Sequence, residues 1–308
     1  MVQVSLRSFV RLAPVIGVLL AALALGGCSA VRLGYNNSPA LAYWWLDGYF
    51  DFDDAQSLRV RNDLQALQDW HRAQEVPQLA QMVQELQTMA RKDVSPDQVC
   101  TIVGNLQTRV RITLERAVPV IAAIAPDLKS DQLEHMAQAY EQRNRKWKGI
   151  WIEGTLAERS ERRVAQIVDR LESFYGKLND GQMALVRAYI ANSSFDGPRQ
   201  LREAQRRQKD NLQVLTKIRA GEIPSNQVTL QVRGLLARTL KAPDPAYSRY
   251  MEQLTLEGCS AMAALHNSIT PEQRAYLAQV LKGYEDDARA LAAQRPAEVL
   301  AEPSPSIL

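Results

Sequence analysis

The chain has 308 residues, of which 46% are hydrophobic, 23% charged and 6% aromatic. Its 15 glycines and 14 prolines are too few for a collagen-like or low-complexity protein, and three cysteines are too few for a scaffold built on disulfides. The formal charge of +3 falls almost to zero without residues 1–27, which contain two arginines and no acidic residue, so nothing suggests a nucleic-acid partner.

The N-terminus has the pattern of an export signal. Arg7 and Arg11 precede an apolar run from Leu12 to Leu25, and about fourteen residues are too few to span a bilayer of roughly 30 Å as a helix. The residues that follow, Leu25-Gly26-Gly27-Cys28, resemble the lipobox of bacterial lipoproteins. The resemblance implies that residues 1–27 are a signal peptide and that Cys28 becomes the acylated first residue of the mature chain.

The lipobox resemblance also implies a location. Several acyl chains, at about 0.8 kcal/mol per buried methylene, anchor a protein stably where a single chain does not. Ser29 follows the cysteine, and by resemblance to enterobacterial lipoproteins a serine there favours transport to the outer membrane. We therefore expect a lipid-anchored protein of the cell envelope, on the outer membrane and facing the periplasm, with residues 28–38 as a short tether.

Residues 35–52 contain seven of the chain's twenty aromatic residues. Such rings either fill a helical core, where each buries about 150–250 Å², or lie at a membrane interface or in a binding groove. The spacing of Leu41, Trp45 and Tyr49 predicts that they form the buried stripe of the first helix, with Trp44 at its edge. Residues of this segment and two later tryptophans form the candidate binding surface: Tyr43, Trp44, Tyr49, Trp147 and Trp151.

The remaining sequence has the periodicity of amphipathic helices and no stretch with the alternation typical of strands. Apolar residues recur at i, i+3, i+4 and i+7, and a Ser, Asp, Asn or Thr followed three residues later by Gln marks helix starts at Asp53, Ser95, Asn179 and Thr270. The pattern predicts an all-α protein with a single domain of about nine or ten helices over residues 39–295. Within it, residues 130–176 form one long helix or two that meet near Gly154. A proline-containing tail at 296–308 is expected to be disordered.

Three of the helix starts share a short phrase: Val94-Ser95-Pro96-Asp97-Gln98, Leu178-Asn179-Asp180-Gly181-Gln182 and Ile269-Thr270-Pro271-Glu272-Gln273. The phrases resemble the Leu-Thr-x-x-Gln motif of the Spy-type periplasmic chaperones, which are helical proteins that cradle unfolded clients. Helix capping alone requires the same residue types. The uneven spacing of the phrases excludes a solenoid repeat.

A wider likeness covers the N-terminal quarter of the chain. Five stretches resemble an uncharacterised family of proteobacterial lipoproteins, known only as a domain of unknown function: Cys28, Leu33–Asn37, Trp44–Tyr49, Asp51–Gln56 and Trp70-His71. The resemblance implies a lipoprotein of proteobacterial type and brings no activity with it.

Cysteine and metal chemistry give few signals. Cys100 and Cys259 either form a disulfide, which an oxidising compartment allows, or are two separate buried thiols. The acidic residues between Asp47 and Asp54 do not have the spacing of a calcium loop, and the region of His71 lacks the second histidine of a zinc-protease motif. We expect no metal and no other cofactor.

The function is predicted from the expected location of the protein and from the absence of catalytic motifs in its sequence. No nucleophile elbow or phosphate loop is present, so no catalytic residue is assigned. Two basic stretches, Arg143–Lys148 and Arg199–Lys209, are either solvated helix faces or contacts for an anionic envelope polymer or lipid headgroups. The sequence favours a non-enzymatic binding or chaperone-like protein whose partners are the membrane, through its acyl chains, and an envelope protein or anionic polymer. The alternative is an envelope hydrolase or lipid-modifying enzyme with a site near four residues: Asp51, Asp54, His71 and Glu75.

Overall fold

The computed structural model describes residues 30–294, and the chain divides into two compact units, residues 1–38 and 39–308. In the first unit the described part is the short helix α1 (Ala30–Asn36). The backbone and side-chain amides of Asn37 donate to the carbonyl of Leu33 at 3.1 and 2.8 Å and close its last turn. The expected signal peptide, the expected acylation site Cys28 and the tail at 296–308 lie outside the described residues.

The described part of the second unit consists of α-helices joined by short connections, and its first helix begins at the boundary. The helices follow in chain order, with one 3-10 turn at Ala125–Asp127: α2 (Ser38–Phe50), α3 (Asp54–Gln74), α4 (Val76–Met89), α5 (Pro96–Ile124), α6 (Ser130–Trp151), α7 (Leu156–Tyr175), α8 (Asp180–Asn192), α9 (Gly197–Arg219), α10 (Ser225–Leu240), α11 (Pro245–Asn267) and α12 (Pro271–Ala293). None of the helices within residues 30–294 combines the length and the hydropathy that a membrane span needs.

The all-α class is confirmed, whereas the expected number of helices was too low. The described residues form twelve α-helices instead of nine or ten. One reason is that α1 lies in the segment expected to be a tether. Another is that residues 130–175 form two helices, because Gly154 adopts a φ of +89° between α6 and α7, a conformation that favours glycine.

The helix starts have the expected capping boxes. At α3, the side chain of Asp53 accepts from the backbone N–H of Gln56 at 2.9 Å, and the N–H of Asp53 donates to Oε1 of Gln56 at 3.2 Å. Ser95, Asn179 and Thr270 cap α5, α8 and α12 in the same way. The three phrases that resemble the Spy-type motif are therefore all helix N-termini.

Capping glutamines also bind one another between helices. Gln56 of α3 and Gln132 of α6 form one glutamine pair, in which each Nε2 donates to the Oε1 of the other at 3.2 and 2.6 Å. Gln182 of α8 and Gln273 of α12 form a second pair at 2.6 and 3.0 Å. Each Nε2 also donates to a backbone carbonyl near the start of the partner helix, at Asp127, Asp51, Ser268 and Lys177 respectively. Each pair thus joins two helix N-termini.

The apolar side chains form two cores. The first core lies between α6, α9, α10 and the C-terminal half of α5, and includes Val118, Met136, Leu215 and Val232. The second core lies between α4, α7, α8, α11 and α12, and includes Val164, Tyr175, Ile190 and Leu281. Each core has one glutamine pair. Gln56 and Gln132 lie at helix starts beside the first core, and Gln182 and Gln273 lie at helix starts of the second core.

Helix α5 connects the two cores. Its C-terminal half belongs to the first core, and near its N-terminus Cys100 forms a disulfide with Cys259 of α11, with a Cα–Cα distance of 5.4 Å. The cysteines are 159 residues apart in sequence. Closing a loop of this length stabilises the fold by about 5 kcal/mol in the chain-entropy model.

We expect that Gln182→Ala lowers the free energy of unfolding by about 2–4 kcal/mol, because it removes a capping bond and the two amide hydrogen bonds with the half-buried Gln273 from a fully buried position. Gln182 is 1% exposed. The matched control is Gln98→Ala, since Gln98 has the same capping position and, within the described part of the chain, its exposed side chain bonds only to its own cap. The control should cost at most about 1 kcal/mol. Urea denaturation measures both, and equal losses would contradict the role of the pair.

Candidate functional site

A cavity of about 690 Å³ lies beside the first core, between α2, α3, α5, α6, α9 and α10. Its walls are mainly aliphatic and aromatic, with contributions from Phe52, Leu64, Ile124, Leu128 and Leu236 among others. Small-molecule sites are typically concave, mostly apolar and about 300–1,000 Å³ in volume. Both the size and the lining of this cavity are those of a ligand site.

The cavity follows one face of α6. Met136, Tyr140 and Arg143 line it and are spaced by four and three residues, so they lie on the same side of the helix. At a rise of 1.5 Å per residue, Met136 and Arg143 are about 10 Å apart along the helix axis. The character of the wall therefore changes from apolar to cationic over about 10 Å.

Helix α9 forms the adjacent wall, packs directly against α6 and runs antiparallel to it. Asn211 donates to the hydroxyl of Tyr140 at 3.2 Å, and Asn144 and Gln208 exchange two amide hydrogen bonds at 2.8 and 3.0 Å. Later residues of α9 therefore lie beside earlier residues of α6. Leu215 lies near the Met136 level, and Arg207 lies near the Arg143 level.

The apolar end of the cavity is formed by buried side chains around Met136, Leu128 and Leu215. Gln132 precedes Met136 by one turn of α6, so the pair of Gln132 with Gln56 lies next to this end. Lys129 adds an ion pair to Asp53 at 2.8 Å between the same two helix starts. The apolar end is thus held by polar bonds between α3 and α6.

The arginine end has a positive charge. Among the described residues that line the cavity, the charged ones are Arg143 and Arg207, with no carboxylate. Arg143 donates to the hydroxyl of Tyr49 and lies 5.8 Å from the ring centroids of Trp45 and Tyr49. No carboxylate of the described chain lies within ion-pair distance of Arg143. The positive charge of Arg143 therefore interacts with aromatic rings and with solvent.

The second arginine, Arg207, shares the carboxylate of Glu203 with its neighbour Arg206. Nε of Arg207 is 3.8 Å from Glu203, whereas Arg206 binds the same carboxylate through two bonds of 2.8 Å. Burial raises the pKa of Tyr140, which lines the wall beside these groups, and the hydrogen bond from Asn211 opposes part of that rise. Tyr140 therefore remains a neutral hydrogen-bond donor at physiological pH.

A family model described as a family of unknown function (DUF6279) matches residues 48–231, which is more than half of the chain. The chain belongs to this family. The match confirms the expectation of an uncharacterised family and spans both cavity arginines. No curated protein and no solved structure matches the chain.

In this DUF6279 chain the aromatic helix α2 packs through a different face from the one expected. The prediction that Leu41, Trp45 and Tyr49 form the buried stripe is wrong, because Leu41 is exposed and Trp45 is 50% exposed. Tyr43 is buried instead, and Phe50 packs against the first core. The i, i+4 spacing fitted both faces of the helix, and the neighbouring helices decide which one is covered.

Tyr43 consequently does not belong to the candidate binding surface. It is 8% exposed, shares a hydrogen bond of 2.8 Å with Ser57 and lies under the guanidinium of Arg61, 3.5 Å from the ring centroid. Trp44, in contrast, is 76% exposed. Trp45 both reaches the surface and lines the cavity, so an exposed tryptophan pair lies at the arginine end.

The later tryptophans form a separate cluster. Trp147 and Trp151 are half-buried, with ring centroids 5.4 Å apart, and Trp151 also contacts Phe195 at 5.5 Å. A side chain at Gly197 would approach the carbonyl of Trp151 to 2.8 Å, so glycine is needed at the start of α9. Neither tryptophan is among the residues that line the cavity.

The four residues of the enzyme alternative are not brought together. Asp51 and Asp54 lie at the N-terminal end of α3, and His71 and Glu75 at its C-terminal end. A helix of 21 residues is about 30 Å long. Burial lowers the pKa of His71, and Glu75 is buried 3.5 Å from Arg109. Within residues 30–294, no group of three or more His, Cys, Asp or Glu side chains has a geometry that could hold a metal ion.

Arg143 and Arg207 each lie in one of the two basic stretches, where their charge does not distinguish them from the neighbouring basic residues. A usable signal was present, because each arginine lies in phase with an apolar stripe. Arg143 follows Leu133, Met136 and Tyr140 at helical spacing, and Arg207 follows Leu201 and Ala204. A cation that continues an apolar face indicates a polar boundary of a buried surface.

The two sides of α2 should respond differently to truncation. We expect Tyr43→Ala to cost about 3–5 kcal/mol of unfolding free energy, as for large aromatic residues in cores. Trp44→Ala should cost less than about 1 kcal/mol, because its ring is mostly in solvent. Chemical denaturation of the two variants tests the assignment, and a larger loss for Trp44→Ala would show that the other face is buried.

Proposed function

We propose that this DUF6279 protein is a non-enzymatic binding protein of the cell envelope that takes an elongated apolar molecule into the cavity. It is held on the outer membrane by acyl chains on Cys28 and faces the periplasm. A carrier or a chaperone-like protein binds its ligand in this way, and such binding needs no catalytic group. The cavity of about 690 Å³ between α6 and α9 is the observation that carries the proposal.

The energetics of packing support a role for the cavity. Protein interiors are normally packed as densely as organic crystals, and voids much larger than a water molecule are few. This cavity is partly open to solvent, so its apolar walls are in contact with water. A molecule that fills it removes that apolar surface from water, so occupation stabilises the native state.

The exposed tryptophans support a membrane as the source of the ligand. Trp44 and Trp45 lie beside the arginine end, and tryptophan favours the headgroup level of a bilayer. A lipid anchor at Cys28 would keep the domain close to that surface. An apolar molecule then has a short path from the membrane to the cavity.

The rival proposal, a hydrolase or lipid-modifying enzyme, needs its four residues in one polar pocket. Asp54 and His71 are separated by most of the length of α3, about 25 Å along its axis. A single reacting group cannot contact both ends of this helix. The binding role therefore fits the arrangement better.

A neutral apolar fluorophore tests the cavity. The probe is N-phenyl-1-naphthylamine, and the protein is the full chain with Cys28→Ala, which removes the proposed acylation site. We expect saturable binding, and we expect Ala204→Trp to weaken it at least about tenfold, because an indole at this lining position occupies the space.

The matched control is Gln205→Trp, which places the same indole at the next residue of α9, on its exposed side. This variant should bind the probe as the parent chain does. Thermal denaturation checks that both variants are folded. A parent chain that binds no probe, or a folded Ala204→Trp variant that binds it unchanged, would refute the proposed function.

A further inference from the structure

The two ends of the cavity differ in chemistry in a way that restricts its ligand. Buried apolar side chains form the end near Met136 and Leu215. The other end presents two guanidinium groups and no carboxylate in its lining, so far as the chain is described. We propose, on the basis of the proposed function, that the ligand is a single-chain amphiphile with an anionic head, and that Arg143 and Arg207 bind that head.

The state of Arg143 favours an anion. Its contacts are the hydroxyl of Tyr49 and the faces of two aromatic rings, so an incoming carboxylate or phosphate displaces no acidic side chain. Guanidinium groups bind such oxygens through two parallel N–H donors, and these charge-assisted bonds are stronger than neutral ones. The aromatic rings also hold the guanidinium in place before the ligand arrives.

Arg207 supplies the second donor from the adjacent wall. Glu203 binds Arg206 at 2.8 Å and is 3.8 Å from Arg207, so this carboxylate is held more closely by Arg206 than by Arg207. The reciprocal bonds of Asn144 and Gln208 fix the residues next in sequence to the two arginines. The arginines are therefore presented at the same level of the antiparallel α6 and α9.

The neighbouring polar groups fit an anion as well. Tyr140 accepts a hydrogen bond from Asn211 at 3.2 Å, which leaves its own proton to donate. A cationic head would meet two positive charges in the lining, and a neutral head would gain no charge-assisted hydrogen bond from them. A hydrocarbon tail that extends from this end toward Met136 covers the apolar wall. A cavity with one polar end and one apolar end therefore fits an amphiphile that has a single hydrocarbon chain and a single head group.

The test compares four probes that share a twelve-carbon chain and differ in the head: laurate, dodecyl phosphate, dodecanol and dodecylammonium. Each displaces N-phenyl-1-naphthylamine from the full chain with Cys28→Ala, below its micelle concentration. We expect both anions to compete at least about tenfold better than dodecanol, and dodecylammonium to compete least. The stronger of the two anions identifies the head as a carboxylate or a phosphate.

Three variants locate the head. Arg143→Gln and Arg207→Gln should each reduce the affinity for the anions about tenfold and leave dodecanol and the fluorophore unchanged, which shows that the cavity is intact. Arg207→Lys keeps a positive charge but loses the two parallel N–H donors, so it should retain only part of the anion affinity. The matched control is Arg145→Gln, since Arg145 lies on the same helix, is 67% exposed and is 3.9 Å from Glu141.

The outcomes separate the two proposals. Equal competition by laurate and dodecanol, with the fluorophore still bound, would overturn the anionic head and leave the cavity as an apolar binding site. Loss of anion affinity in Arg145→Gln as large as in Arg143→Gln would also overturn the assignment, because it would indicate a diffuse charge effect. Absence of fluorophore binding would instead remove the proposed function itself.

Discussion

Reciprocal hydrogen bonding between capping glutamines determines how the helices of this protein meet. A helix that begins inside a fold leaves its first N–H groups without partners, and burying them unsatisfied is costly. Gln56 accepts from the N–H of its own cap through Oε1 and donates across to Gln132 through Nε2, so one side chain satisfies its own helix start and fixes another. Gln182 and Gln273 repeat the arrangement in the second core. The two cores therefore share one construction, and α5 with the disulfide between Cys100 and Cys259 links them.

The cavity depends on this construction. The pair of Gln56 and Gln132 holds the start of α6, one turn before Met136, and amide bonds between Asn144 and Gln208 hold the other end of the same wall. With both ends of this wall fixed, the cavity is formed without a ligand. A pre-formed site avoids the cost of ordering its walls on binding. Stability and the proposed binding thus depend on the same polar contacts, which lie at the two ends of the apolar wall.

The local features of the fold could be predicted from the sequence, and the features that depend on distant partners could not. Caps at Asp53, Ser95, Asn179 and Thr270 involve residues three apart, and apolar periodicity is equally local, so the sequence predicts the helical class and these four helix starts. Which face of α2 is buried depends on the helices that pack against it. For that reason the spacing alone predicts a buried Trp45, whereas Tyr43 is the buried residue. The candidate site joins Arg143 and Arg207, which are far apart in sequence. The sequence shows that each arginine belongs to a basic stretch. It does not show that α6 and α9 pair antiparallel, and this pairing brings the two arginines to one cavity.

A crystal structure of the full chain with Cys28→Ala in complex with laurate tests the central claim most directly, because it reports the occupant, its position and its direction together. The account predicts continuous density for one hydrocarbon chain between α6 and α9, with the carboxylate within hydrogen-bond distance of Arg143 and Arg207 and the methyl end near Met136. An empty cavity at saturating laurate, or a chain whose carboxylate lies at the Met136 end, would contradict it.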